Sequence, residues 1–297
     1  MDWEVVISQY LEQCKQNSLD SKTLKAYRID LKQFCEQVGM QPMTQEVIDS
    51  YVAELHKDFK PVKRKIASLR VFFRYLEETK RVAENPFQKV QVSIEEVSPE
   101  TLPFAEIREL LATVERQCYQ AKTENKRRMA RRDVAVVQLL FQTGIRISEL
   151  CSLTTEMVDL EKGILVLYGK GLRERKLQLD EKVQRVLKDY QAEFSEEIAL
   201  CGYFFVNRGQ KPLSEPVVRR VLQKYAVLGS QELAVTPKVL RNTLASHLLE
   251  SGESLSYVQQ LFGHSSVQVT ERYSKDKKMI TVACVRMPSL QEVRGGV

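Results

Sequence analysis

Near the end of the chain, residues 236–274 read TPKVLRNTLASHLLESGESLSYVQQLFGHSSVQVTERYS. The stretch carries Arg241, His264 and Tyr273 in that order, with Lys238 one helical turn before Arg241. Upstream lie TGIRISEL, with Arg146, and GKGLRER, with Lys170. The cations and the His are donors suited to phosphate oxygens, because guanidinium forks and ammonium groups match that acceptor. The Tyr is a potential oxygen nucleophile. Such a set could attack a phosphodiester without a metal, a nucleotide or any other cofactor, and none is expected.

These groups need elements to position them. Thr236 is placed to cap a helix that opens on Pro237, where a missing N–H costs nothing. Lys238 and Arg241 then share one face at i and i+3. Leu240, Leu244, Leu248 and Leu249 form an apolar stripe opposite, and Gly252 is expected to end the helix. A second helix is predicted from about Ser256 to Phe262, stopping at Gly263, with His264 just beyond. Tyr273 falls on a later element, capped by Ser265 or Ser266. Arg146, between apolar neighbours, needs a partner if buried; Glu149 and Glu156 are the candidates. Gly169-Lys170-Gly171 reads as a hairpin turn between an apolar run at Ile164–Leu167 and the alternating residues 176–179. It lacks the full pattern of a nucleotide-binding phosphate loop.

Together these segments resemble the tyrosine recombinase (phage integrase) family, with the Xer-like integrases nearest in shape. The resemblance covers nearly the whole chain and includes five separated motifs in the right order. The resemblance implies a site-specific recombinase that cuts and rejoins duplex DNA through a 3′-phosphotyrosyl intermediate. It implies Arg146, Lys170, Lys238, Arg241, His264 and Tyr273 as the catalytic set, with Glu149 holding an Arg from behind. Lys238 stands where the family usually has His, and Asn242 where many relatives have His; Asn242 is expected to be tolerated. Duplex DNA is the implied partner, in a tetramer of this protein or of this protein with a second recombinase.

The 297 residues suffice for two domains. The net charge is +6, and residues 1–97 are balanced at 15 basic and 15 acidic, so the excess lies beyond them. A basic surface fits nucleic acid, but many enzymes reach this charge without it. The six Cys are scattered with no C-x-x-C pair, which argues against structural zinc or a disulfide scaffold and for a reducing cytoplasm. The N-terminus has no signal-peptide core, and no apolar run approaches membrane-spanning length. A bacterial cytoplasmic protein is expected.

The first 90 residues show four helical periods and no strand signal. They begin at Asp2–Cys14, at Ser21, at Thr44 and after Pro61, and Asn85-Pro86 closes the last. The module resembles the family's SAM-like core-binding domain, and no arm-binding domain is expected before it. Lys22, Lys25 and Arg28 on its second helix, and Lys63, Arg64, Lys65, Arg70 and Arg74 on its fourth, read equally as solvated faces. The resemblance turns them into candidate phosphate contacts. Residues 91–101 read as a linker. Residues 102–297 form the second domain, mainly helical with one small sheet. It opens with a helix at Leu102-Pro103. A basic run, AKTENKRRMARRD, reads as surface loop ahead of an apolar helix starting at Asp133. Ser214 caps a helix bearing Arg219, Arg220 and Lys224, which read as phosphate contacts or as solvated surface. The apolar residues Met279–Val285 suggest a C-terminal segment exchanged between protomers.

The competing readings are a type IB topoisomerase or telomere resolvase, a DNA-binding homologue without catalysis, and a helical enzyme acting on a phosphorylated small molecule. Length and the first module oppose the first. The intact motifs oppose the second, and the missing Gly-rich phosphate loop opposes the third.

Overall fold

The computed structural model describes residues 2–39, 43–57, 62–90, 98–168, 174–229 and 234–263. The chain divides into two compact units, 1–96 and 97–297.

In the first unit, the apolar spacing produces α1 (Trp3–Gln16), α2 (Ser21–Val38), α3 (Gln45–Lys57) and α4 (Val62–Glu78). Asp2 caps α1 by accepting from the Glu4 and Val5 amides. Asp20, rather than Ser21, caps α2. Phe34, Phe72, Phe73 and Leu69 are fully buried. Phe34 meets Phe73 edge-on at 5.7 Å, an arrangement that adds to area burial. One carboxylate lies inside this core. Oδ2 of Asp30 accepts from Arg64 at 2.6 Å and from the Ser68 hydroxyl at 2.8 Å, which offsets part of the cost of burying the charge, while Oδ1 has no partner among the described residues.

Two expectations for α4 are corrected by this packing. Lys65 lies on the buried side of the helix, 6% exposed, and not on a face open to phosphate. Arg70 is spent within its own unit. It donates from Nε to the Phe87 carbonyl and from Nη2 to the Val90 carbonyl, at 3.1 and 2.7 Å. Its own carbonyl accepts from Asn85 at 2.9 Å. Arg70 thereby pins the chain that follows α4 and seats Phe87 in the core.

The second unit runs α5 (Phe104–Tyr119), α6 (Glu124–Thr143), α7 (Ile147–Cys151), β1 (Val158–Asp159), β2 (Ile164–Tyr168), β3 (Glu174–Gln178), α8 (Glu181–Glu193), α9 (Ser195–Cys201), α10 (Glu215–Leu228), α11 (Pro237–Glu250) and α12 (Leu255–Phe262). The strands form one antiparallel sheet in the order β1-β2-β3, with Leu165 opposite Leu177 and Tyr168 opposite Glu174. Leu165, Leu167, Leu177 and Leu179 all enter the core that α6 fills from Met129 to Phe141.

The basic run before Asp133 is helix, not loop. Thr123 caps α6 by accepting from the Lys126 amide. Two of the arginines that follow, Arg128 and Arg131, find partners across the fold. Arg128 bonds Glu197 at 2.6 Å, Arg131 bonds Glu193, and Arg132 bonds Asp133 at 2.8 Å. Two of those acids flank or lie in α9, a short helix that the sequence reading passed over. The end of the expected linker is also held. The Asn242 side chain donates to the Glu100 carbonyl at 3.1 Å, and the Leu102 amide donates to the Thr243 hydroxyl at 2.9 Å. Residues 100–102 are thus stitched to α11.

Candidate active site

The site begins where α6 stops. Gly144 adopts φ +57° and its amide still bonds the Leu140 carbonyl, so the chain leaves the helix in a left-handed turn that favours glycine. Space imposes a second demand, because a Cβ on Gly144 would fall 2.0 Å from Cε1 of Phe262. The turn delivers Arg146 to the N-cap of α7. There its amide donates to Glu149 Oε2 at 2.8 Å and its Nη1 to Glu149 Oε1 at 2.9 Å. Of the two acids the sequence offered, Glu149 is the partner.

Glu149 also holds a second guanidinium. Arg175 on β3 donates to both carboxylate oxygens, each at 2.8 Å. Burial works to raise the Glu149 pKa. The Arg175 side-chain bonds, the Arg146 amide and the two positive charges outweigh it, and the carboxyl is held below its ordinary value. Glu149 is therefore an anion that fixes two cations.

Arg241 reaches the same place from α11. It is 9% exposed. It donates to the Gly144 carbonyl and, at 2.6 Å, to the Phe262 carbonyl. Its guanidinium also lies 4.3 Å from the Phe262 ring centroid, within cation–π range. Arg146 completes the convergence by donating to the Gly263 carbonyl at 3.1 Å. Both arginines thus satisfy carbonyls at the C-terminus of α12, where a helix has unpaired acceptors and a partial negative charge. Gly263 is left-handed at φ +58°, and His264 is the next residue. Three arginines and one carboxylate leave the site strongly positive.

Arg146, Glu149 and Arg241 are thus brought together. Lys238 is exposed in the first turn of α11, whereas Arg241, three residues on, is buried. Lys170, His264 and Tyr273 lie outside the described residues, as does the expected C-terminal exchange segment; β2 and β3 pair up to Tyr168 and Glu174, on either side of residues 169–173. Arg175 was missed in the sequence. It shares the inward face of β3 with Leu177, and a charge alternating in phase with buried leucines is the signal that marks it.

Of the remaining cations, Lys22, Lys25, Arg28, Lys63, Arg64 and Arg74 are exposed on α2 and α4. Arg219 pairs with Glu215 at 3.5 Å on α10, Arg220 donates to the Pro216 carbonyl at 3.4 Å, and Lys224 lies 3.5 Å from Asp133. Arg220 and Lys224 line a cleft of about 610 Å³ with Arg132, Arg208 and Lys211. Among the described residues no three His, Cys, Asp or Glu side chains stand together as a metal would need. No helix among them is long and apolar enough to cross a membrane.

A helical first unit, a mainly helical second unit with a small sheet, and paired arginines at one helix end agree with the family that the sequence motifs resemble. The chain belongs to the phage integrase family. The family profile matches residues 100–279 and the profile of its N-terminal SAM-like domain residues 7–80. It is a tyrosine recombinase by class. A tyrosine recombinase of Agathobacter rectalis is 43% identical over 277 residues, covering 90% of each chain. Tyrosine recombinase XerC of Thermodesulfovibrio yellowstonii is 34% identical over 282 residues, again covering 90% of each. The fold is shared with the XerH site-specific recombinase bound to its palindromic difH substrate, at TM-score 0.72 and 17% identity over 90% of this chain and 80% of that one. It is shared too with a lambda integrase dimer bound to a core site, at TM-score 0.69 and 17% identity over 94% and 80%.

Proposed function

We propose that this recombinase binds a duplex DNA site and cleaves each strand with the Tyr273 hydroxyl. Arg146 and Arg241 grip the non-bridging oxygens of the scissile phosphate. The observation that carries this reading is the convergence of those two guanidiniums on the residues immediately before His264. A free Tyr titrates near pH 10, so the attacking hydroxyl needs a strongly positive site to lose its proton. Preorganised donors stabilise the charge that develops on phosphorus-bound oxygen. His264 donates to the same phosphate, and Lys238 donates a further hydrogen bond as a protonated amine. The Tyr273 hydroxyl gives its proton to solvent water, its oxygen bonds to phosphorus and the bond to the 5′ oxygen breaks. Lys170 gives that oxygen its proton. The products are a 3′-phosphotyrosyl link and a 5′-hydroxyl. A 5′-hydroxyl from a partner strand reverses the step, and the covalent link makes ATP unnecessary.

In this reading residues 1–90 are the core-binding domain, 91–101 the linker and 102–297 the catalytic domain with its C-terminal exchange segment. The exposed cations of α2 and α4, with Arg219, Arg220 and Lys224 on α10, contact the sugar–phosphate backbone. Four such sites, from one protein or two, exchange strands in the bacterial cytoplasm. The A. rectalis and XerC relatives, and neighbours solved on DNA, support this assignment.

The test is covalent trapping. Protein is mixed with nicked duplexes spanning candidate junctions of its host replicon, denatured, and examined for a protein–DNA adduct. An adduct lost in Tyr273→Phe is expected. Failure to trap any adduct while salt-sensitive DNA binding persists would overturn the cleavage mechanism.

A further inference from the structure

We propose that Arg175 is a positioning residue for strand cleavage, coupling the β2–β3 hairpin to the Arg146 clamp and to the end of α12. The inference rests on the roles proposed above for Arg146, Lys170 and His264.

Arg175 touches three structures at once. Its backbone belongs to β3, the strand that follows Lys170 in the chain. Its two terminal nitrogens bind both oxygens of Glu149, the carboxylate that fixes Arg146. Its third contact is Gly263. A Cβ there would stand 2.8 Å from Arg175 Nη1 and 3.3 Å from its Cδ, so the guanidinium packs directly on the residue that precedes His264.

The relative exposures show which arginine depends on which. The Arg146 side chain is 39% exposed, whereas those of Arg175 and Glu149 are 11% and 10% exposed. An open guanidinium on a flexible stem needs a fixed anchor to hold one rotamer. Glu149 is that anchor, and the two-pronged Arg175 bond fixes Glu149 in turn. A planar fork is suited to this in a way an ammonium is not. The cost is visible: the Arg175 Nε–H is buried with no acceptor among the described residues, and a buried unpaired donor is unfavourable. A side chain kept only to stabilise the strand would gain more as an apolar residue there.

The experiment uses the full-length protein and the nicked duplex at which the wild type forms its covalent adduct. Arg175→Met, Arg175→Lys and Lys176→Met are compared. Lys176 lies on the opposite, exposed face of β3. For each variant, gel shift gives DNA affinity and single-turnover adduct formation gives the cleavage rate, from mildly acid to alkaline pH. Circular dichroism confirms that each is folded at the assay temperature. In Arg175→Met the cleavage rate is expected to fall about 10²-fold, as for loss of positioning, with DNA affinity changed by less than about twofold. The defect deepens toward acid, because Arg146 alone then faces Glu149, which protonates more readily. Arg175→Lys restores the pH profile and only part of the rate. Lys176→Met stays at the wild-type rate.

A folded Arg175→Met that cleaves at the wild-type rate overturns the inference. So does one whose cleavage and binding fall in equal proportion, since that marks a general loss of structure. If the wild type forms no adduct, the proposed active site itself falls, and the inference with it.

Discussion

Gly144→Ala is the most direct probe of how the two arginines are brought together. Two effects act on an alanine there. The backbone sits at φ +57°, and an L-residue forced left-handed costs roughly 1–2 kcal/mol. The new methyl would also overlap the Phe262 ring, lying 2.0, 2.9 and 3.0 Å from three of its carbons. Overpacking of that kind costs about 1–3 kcal/mol when the neighbour must move. Gly202 supplies the control, because it is left-handed at φ +74° with nothing within 4 Å of a Cβ. Gly202→Ala should therefore lose only the backbone part, about 1–2 kcal/mol. Gly144→Ala should lose about 2–5 kcal/mol, and at about 2–4 °C per kcal/mol the two melting temperatures separate by several degrees. The displaced Phe262 carries the carbonyl and the ring that hold Arg241. Adduct formation measured well below both melts should accordingly drop in Gly144→Ala and not in Gly202→Ala. Equal stability loss in the two variants, within about 0.5 kcal/mol, would refute the packing argument.

Glu149→Gln keeps the shape of the anchor and removes its charge, leaving Arg146 and Arg175 to share a neutral amide. Breaking a fully buried pair costs about 3–5 kcal/mol; discounted because Arg146 is 39% exposed, about 2–4 kcal/mol is expected in urea unfolding. The Glu149 pKa is lowered on folding, so its contribution is fully present above the unfolded carboxylate value. It is lost as pH falls through the folded value, and an acid-unfolding series should show the wild type and Glu149→Gln converging there. Asp30→Asn removes the charge that Arg64 and Ser68 share inside the first unit; a loss of about 1–3 kcal/mol is expected, and an unchanged melting temperature would count against the pair's importance. Lys238→Arg retains a fixed cation, so adduct formation should persist across neutral pH. Its abolition would show that Lys238 removes the Tyr273 proton instead of donating to phosphate.

Long helices and their stops were legible because apolar spacing and Gly or Pro punctuation agree locally. Thr236 caps α11 and Gly263 ends α12 as the residues suggest. The start of α6 was not legible. ENKRRMARR looks like a solvated loop until Glu193 and Glu197 are seen to meet its arginines, and tertiary partners leave no local trace. The α11 stripe was read too narrowly. Arg241, Asn242 and Thr243 are buried beside the leucines, because each bonds a carbonyl or an amide from a distant segment. Lys65 and Arg70 failed as surface cations for a similar reason: helical phase placed one inward, and unpaired carbonyls after α4 claimed the other. In the site, Arg146, Glu149 and Arg241 could be found from motif and charge. Arg175 needed strand phase, which five residues of β3 barely provide. The two-residue β1 and the seven-residue α9 are too short to show a period at all.

The stitching of residues 100–102 to α11 has a mechanical consequence. The chain arriving from the first unit does not enter the second at an arbitrary surface point. It is sewn by Asn242 and Thr243, the two residues that follow Arg241. Both bonds lie inside the second unit and tie the segment before α5 to the helix that bears Arg241. Lengthening the chain before residue 98 leaves the knot intact, whereas loosening Asn242 or Thr243 unties it.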